Sequence, residues 1–428
     1  MTLSKQRNEK LWFAYILLAS YVLSYILVYL RYTYFAGATA MRFPIDLLAM
    51  SPLANDLYLS AKYAIQTVNA GTIKGVDFVY SPLFVIIYSL FSYIDPTVMR
   101  WISTLSILFG FLFLTIILPR KWKCDIWDSP AAILIITSGF LSYGLRFEIE
   151  RGQWNVQTML LCFIALAIKD VKYPWVRFLS YVLFTISVHL KVWPLLFIIG
   201  YINLNNTIKA NVVRLFKICL INFLCLFALG PKFLLEYFSK LIHSAGTPSV
   251  WIANISLYSF GQLAFKFYAI DISVSKLFIL IYTLIYFVSI VYALYKRIPG
   301  DNVLIICLCS CGVILFPTVS FDYKVILLTI CMPLFVAKYK FVSDEKLICL
   351  SQDKSYSIKV SFDHLIERVG LLLVLVPYPF TLYSYIYKAD WGLLFASDTT
   401  PTVLMSLGFI ILLCSHAQKR AKQGLLDS

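Results

Sequence analysis

The sequence predicts an all-α fold, a polytopic bundle of transmembrane helices, and three observations carry that expectation. The 428 residues are 60% hydrophobic with a mean hydropathy of +0.80, well beyond the range of a water-soluble domain. Apolar runs at 11–30, 101–118, 129–145, 155–168, 176–200, 215–230, 277–295, 303–316, 325–337, 369–387 and 402–414 leave only short polar connectors. Several reach the ~20 residues that cross a ~30 Å hydrocarbon core, and the shorter ones cross only by thinning the bilayer or using their flanks. The strict period-2 alternation of a membrane β-barrel is missing, so backbone amides in lipid are expected to bond within helices. Trp and Tyr mark the ends of the runs, as at Trp12, Tyr32, Tyr34, Trp101, Trp122, Trp127, Trp175, Trp193 and Trp391, in the manner of interfacial belts. No polar stretch is long enough for a soluble domain, so residues 1–428 read as one integral membrane unit.

Taken in order, the first run follows Lys5, Arg7 and Lys10. It is too long for a signal-peptide core and lacks a small-residue cleavage site, so a retained anchor is expected. Positive-inside counting places 1–10, 119–128, 169–177, 205–217, 296–302, 338–368 and the tail from His416 in the cytoplasm, since these hold most of the 37 Lys and Arg. Alternate connectors 35–80, 146–154, 189–194, 231–271, 317–324 and 388–401 then fall outside. Between 35–80 outside and Arg120–Lys123 inside only an odd number of crossings fits, yet two apolar segments, 81–94 and 100–118, lie there. Residues 81–94 would rise only ~20 Å as helix, so one of the pair is expected to dip or pack without crossing. About 12 spans with both termini cytoplasmic result, 13 being the alternative. External loop 35–80 is expected to carry an interfacial helix starting near Asp56. Loop 231–271 is expected to carry another, with Phe233, Leu234, Leu235, Tyr237, Phe238 and Leu241 at helical spacing. Residues 338–368 read as a polar cytoplasmic loop.

The net charge of +15 is scattered over connectors and forms no basic patch with interleaved aromatics. A lipid bilayer, and no nucleic acid, is the expected partner. The ten cysteines lie mostly within apolar runs, where a thiol behaves as a small hydrophobe. Cys307, Cys309 and Cys311 would be spread around a helix axis. No His, Asp or Glu cluster has ligand spacing, so neither a metal nor another cofactor is expected.

A few charged and polar residues sit at the ends of apolar runs, where charge is costly and function is the first explanation. Asp56 follows Ser51-Pro52-Leu53-Ala54-Asn55. Asn55 or Asp56 suits a helix cap, and a partly desolvated carboxylate there also suits a general base; Asp46 is its rival. Tyr80-Ser81-Pro82-Leu83 opens the next segment with proline in a tolerated first turn. Glu148-Ile-Glu150-Arg151-Gly152-Gln153-Trp154-Asn155 reads as a solvated hairpin or a polar site. In it Glu148 and Arg151 are spaced to pair, and Gln153 and Asn155 offer amides to sugar hydroxyls. In His189-Leu-Lys191-Val-Trp193-Pro194, Lys191 suits a phosphate or simple snorkelling. Asn254-Ile-Ser256-Leu257 and Phe316-Pro317-Thr-Val-Ser320-Phe321-Asp322-Tyr323-Lys324 are weak alone, one a turn or glycosylation sequon, the other an exposed Asp322–Lys324 pair. The topology puts all five clusters on one face.

In order and spacing these clusters resemble the polytopic GT-C glycosyltransferases, and within them glycosyltransferase family 87, the polyprenyl-phosphate-mannose-dependent α-mannosyltransferases. An early acid (Asp56) is followed by a Y-P-P-L-like element at Tyr80–Leu83 and a G-Q-x-N at Gly152–Asn155. Then come K-x-x-P at Lys191–Pro194, an N-Q-S-L-like element at Asn254–Leu257, and an S-P-x-S-W-x-H-like element at Phe316–Tyr323. Ser81, Ile255 and Phe321 depart from the pattern, and Tyr323-Lys324 stand where the family tends to have His. The resemblance covers roughly residues 50–335. It implies an inverting hexosyltransferase with catalytic Asp56 and donor-binding Tyr80, Glu148, Arg151, Gln153, Asn155, His189, Lys191, Asn254, Ser256, Asp322 and Lys324. It further implies a polyprenyl-phosphate-linked donor, a glycan or glycolipid acceptor, and a site on the outer face of a bacterial plasma membrane. The alternatives are an O-antigen-type polymerase, which would need arginines that 231–271 lacks, and a transporter or flippase, which would show inverted repeats.

Overall fold

In the computed structural model, residues 3–35, 55–73, 80–122, 126–246, 254–268, 270–317, 320, 322–339, 354–382 and 399–426 are described, and their regular structure is entirely helical. The chain opens with α1 (Leu3–Phe35), α2 (Asn55–Ala70) and α3 (Pro82–Phe91). Next come α4 (Pro96–Leu112), a π-turn (Phe113–Ile117) and α5 (Leu118–Lys121), then α6 (Pro130–Phe140), α7 (Tyr143–Arg151) and α8 (Asn155–Ile168). After α9 (Pro174–Leu190) a 3-10 segment (Trp193–Tyr201) leads to α10 (Ile208–Leu226), α11 (Pro231–Gly246), α12 (Leu257–Tyr268) and α13 (Ile272–Tyr295). The chain continues through α14 (Val303–Leu315), α15 (Ile326–Lys338), α16 (Lys354–Leu375) and α17 (Thr399–Leu426).

Several helices start by the same device. Ser81, Asp95 and Ser129 each accept an amide proton two or three residues on, and Pro82, Pro96 and Pro130 follow them. The cap meets an amide that lacks an intrahelical partner, and proline lacks the proton it could not have used.

α14 lies at the centre. All 13 of its residues are buried, as a helix that is apolar all round requires. It packs on α15 and α17, and α17 on α16. Cys307, Cys309 and Cys311 are buried in this core. By contrast α13 leaves Leu277, Leu280, Leu284, Val288 and Val291 exposed, the stripe a helix offers to lipid rather than to water.

Four helices are long and apolar enough to cross a membrane: Pro96–Arg120, Ile272–Tyr295, His364–Leu382 and Thr399–Arg420. Two bent pairs, α6 with α7 and α10 with α11, would raise the number to six among the described residues. Five shorter apolar helices, Leu11–Leu27 and Pro82–Phe91 among them, accompany these. By length and composition this falls short of the expected 12 or 13 crossings. Of the two segments at issue for parity, α3, with 10 residues, rises about 15 Å, half of a bilayer core, while Pro96–Arg120, with 25, rises about 37 Å.

Both segments expected to carry a helix do form one. α2 begins at Asn55, as anticipated for 35–80, and α11 leaves α10 at 101°. Phe233, Leu234 and Tyr237 are buried on one face of α11, and Leu235 and Phe238 are exposed on the other. The two helices are tied together: Glu236 Oε1 accepts from Ile73 N (3.1 Å), and Lys240 Nζ donates to Ile73 O (3.4 Å). One expectation is corrected. Residues 338–368 are not loop throughout, because α16 begins at Lys354 and extends the apolar run upstream past its polar start.

Candidate active site

The site is built on the corner between α7 and α8. α7 ends at Gly152, whose φ of +63° is left-handed and costs least without a Cβ. Gly152 N donates to Ile149 O (3.3 Å) and Gln153 N to Glu148 O (3.1 Å), which completes a Schellman ending. The chain then turns straight into α8, and the side chain of Glu148 caps that helix. Its Oε1 accepts from the amides of Asn155 (2.6 Å) and Val156 (3.2 Å), and its Oε2 from Asn155 Nδ2 (2.9 Å). A carboxylate at a helix N-terminus satisfies orphan donors and meets the positive end of the dipole. Asn155 Oδ1 in turn accepts from Trp193 Nε1 (3.2 Å). Glu148 thus meets Asn155 and Val156, while Arg151 lies over the Phe147 ring at 5.2 Å.

Lys191 stands where α9 ends, in extended backbone. Its Nζ donates to Gln153 Oε1 (3.0 Å) and lies 5.7 Å from the centre of the Tyr80 ring. Tyr80 is stacked on Phe84 at 4.2 Å. Lys324 comes from the 3-10 turn Asp322–Val325, which packs on α7. A Cβ on Gly144 of α7 would already lie 3.3 Å from the backbone N of Ile326. Lys324 is half-buried as a residue, with its ammonium crowded by protein. Burial, and then the charge of Lys191, pull its pKa down to about 7.

Other expected residues frame this centre. His189 is buried, with Nδ1 3.0 Å from Ser81 Oγ and Nε2 3.1 Å from Asn222 O. A carbonyl only accepts, so Nε2 carries a proton, and Nδ1 rests against the Ser81 hydroxyl. The same hydroxyl reaches His189 O at 2.9 Å. This knot fastens α3 to α9 and α10. Asn254, also buried, accepts at Oδ1 from Ser320 N (2.7 Å) and Ser256 N (3.3 Å), and Ile255 N donates to Ser320 O (2.7 Å). Ser256 Oγ then caps α12 through Ser259 N (3.1 Å). The fourth and fifth clusters are therefore one joint, which carries the chain toward Lys324.

Asp56 lies in the first turn of α2, and α2 packs against α7. The side chains of Asp56 and Asp322, and all of Asp46, lie outside the described residues. Among the described residues no three His, Cys, Asp or Glu gather as a metal site would require.

The sequence profile of glycosyltransferase family 87 matches residues 78–320, more than half of the chain. The chain belongs to glycosyltransferase family 87. A search of curated proteins finds no match. Membership makes this protein a glycosyltransferase, in agreement with the resemblance read from its motifs, and sets aside the transporter reading. The matched span holds Tyr80, Glu148, Gln153, Asn155, Lys191 and Asn254; Asp56, Asp322 and Lys324 fall outside it. Sequence reasoning passed over Asn222 and the bracing roles of Ser81, Trp193 and Ser320. Asn222 did carry a signal, as a lone amide within the apolar run 215–230.

Proposed function

We propose that this glycosyltransferase moves a sugar, mannose or a related hexose or pentose, from a polyprenyl-phosphate-linked donor to a glycan or glycolipid acceptor at the outer face of a bacterial plasma membrane. The observation that supports it is the pair of cations, Lys191 and Lys324, close enough for one to depress the pKa of the other. Two like charges brought this close repel each other, and an anion between them relieves that repulsion. A lipid phosphodiester brings one negative charge. When its bond to the anomeric carbon breaks, the departing polyprenyl phosphate carries two. The cations therefore hold the transition state more tightly than the ground state, which is the condition for catalysis.

In this reading the acceptor hydroxyl oxygen bonds to the anomeric carbon as the carbon–oxygen bond to phosphate breaks. The bonding pair leaves with the phosphate, the hydroxyl proton goes to Asp56, and the configuration inverts. Gln153 sets the position of Lys191, and Glu148 with Asn155 holds the corner that presents Gln153. The positive-inside pattern supports an external site, and the lipid tail of the donor would keep to the bilayer while its head reaches the two lysines.

The test is transfer by purified protein, followed by mass spectrometry, from a short-chain polyprenyl-phosphate-mannose and from a nucleotide-mannose. Product from the lipid donor alone is expected. Product from the nucleotide sugar alone would overturn the proposal.

A further inference from the structure

At the far end of α9 from Lys191, α9 and α10 part to leave a groove of about 620 Å³. Arg177 and Lys217 stand on its two walls, and Phe178, Tyr181 and Val213 make those walls apolar. Arg177 lies about 21 Å along the helix from Lys191, so a phosphate held at the candidate active site does not also reach this groove.

The charges here are uneven. Arg214, at the base of the groove, is buried and committed: its Nη1 meets Asp170 Oδ1 at 2.8 Å and Tyr201 O at 3.1 Å. Asp170 also meets Lys169 (2.5 Å), which reaches Asp301 (3.1 Å). Burial alone would raise the Asp170 carboxyl, but the hydrogen bond and charge of Lys169, with Asn203 and Arg214 behind, hold it below the usual carboxylate range. The nearby acids are thus already neutralised. Arg177 and Lys217 make no ion pair among the described residues, and both belong to connectors that the charge asymmetry places in the cytoplasm. Tyr173 and Trp175 are exposed at the same end, the level at which aromatic rings meet headgroups.

We propose that this groove binds an anionic phospholipid of the inner leaflet, the phosphodiester between Arg177 and Lys217 and an acyl chain along Phe178, Tyr181 and Val213. A free anion has no use for apolar walls, and a zwitterionic lipid brings its own cation against the two basic residues. Basic pockets between helices on the cytoplasmic side have the chemistry such headgroups need.

Native mass spectrometry of the whole protein in neutral detergent tests this, titrating phosphatidylglycerol and phosphatidylcholine in parallel. Wild type is expected to hold one phosphatidylglycerol that R177Q/K217Q binds roughly 30-fold more weakly, and Lys217→Gln alone about 5-fold. R177K/K217R should bind as wild type does, with phosphatidylcholine unaffected throughout. Matching melting temperatures without lipid show that the variants fold, and should R177Q/K217Q fail to fold, the exposed Lys217→Gln variant decides alone. Unchanged phosphatidylglycerol affinity in the variants overturns the proposal. So does phosphatidylcholine bound as tightly as phosphatidylglycerol, or displacement of the lipid by millimolar inorganic phosphate, which would mark a site for free anions.

Discussion

Glu148→Gln replaces the carboxylate that caps α8 with an amide of the same size, and its consequence follows from three contacts. Oε1 takes the amides of Asn155 and Val156, and Oε2 takes Asn155 Nδ2. A glutamine keeps one oxygen for the two backbone amides and turns its own NH2 toward Asn155 Nδ2, donor against donor. Flipping Asn155 relieves that clash but sets its NH2 against Trp193 Nε1, which now donates to Oδ1. Either way one buried donor is stranded, at about 1–3 kcal/mol, and the negative charge at the helix N-terminus is lost, at about 0.3–2 kcal/mol. Together these should destabilise the protein by about 1–5 kcal/mol. Gln153 sits on the same corner and receives Lys191, so a shift of about 1 Å there should slow transfer on the order of 100-fold. Thermal unfolding in detergent and turnover with saturating donor are the assays. A lowered melting temperature with lowered kcat is expected. Wild-type stability would refute the capping argument, and wild-type stability with transfer abolished would show that Glu148 acts on substrate instead.

Asp56→Asn should abolish transfer while expression and melting temperature stay at wild-type values; near-normal turnover would remove Asp56 as base and point to Asp46 or Asp322. Lys324, with its pKa of about 7, is charged below that pH and neutral above it. Donor KM should therefore rise as pH climbs through 7, toward tenfold per unit. Lys324→Arg should flatten the profile, because guanidinium stays protonated; an equally steep profile in that variant would dismiss Lys324 as its source. Single cysteines replacing the exposed Lys232 and Lys209 should label from opposite sides of the membrane, Lys232 from outside. Same-side labelling would break the topology on which an external site depends.

The class of fold was legible because it rests on composition: apolar runs and basic connectors need no tertiary knowledge. Helix starts were legible at Ser81-Pro82, where cap and proline are local, and the helix α11 with its apolar face was legible in its spacing. The number of crossings was not, because hydropathy does not separate a helix buried in protein, such as α14, from one facing lipid, such as α13. The start of α16 inside a polar stretch was hidden for the complementary reason, since a helix can begin in water and run on into the bilayer. Within the site, local motifs pointed to Lys191, Gln153 and Asn155. The sequence could not show that Glu148 reaches forward to cap the next helix, or that Asn254 and Ser320, 66 residues apart, form one joint. Those contacts depend on how the chain turns at Gly152 and on which distant segment returns to fill the space.

The most direct measurement of the central claim is the affinity of the protein for a short-chain polyprenyl phosphate, the product that carries the full phosphate charge, in wild type and Lys191→Ala. Removing one charge-assisted contact of about 1.5–3 kcal/mol should weaken binding about 10- to 150-fold, and Lys191→Arg should restore part of it, because a planar fork replaces a point charge. Equal affinity in wild type and a folded Lys191→Ala protein would contradict the account, since the lysine pair would then hold no phosphate.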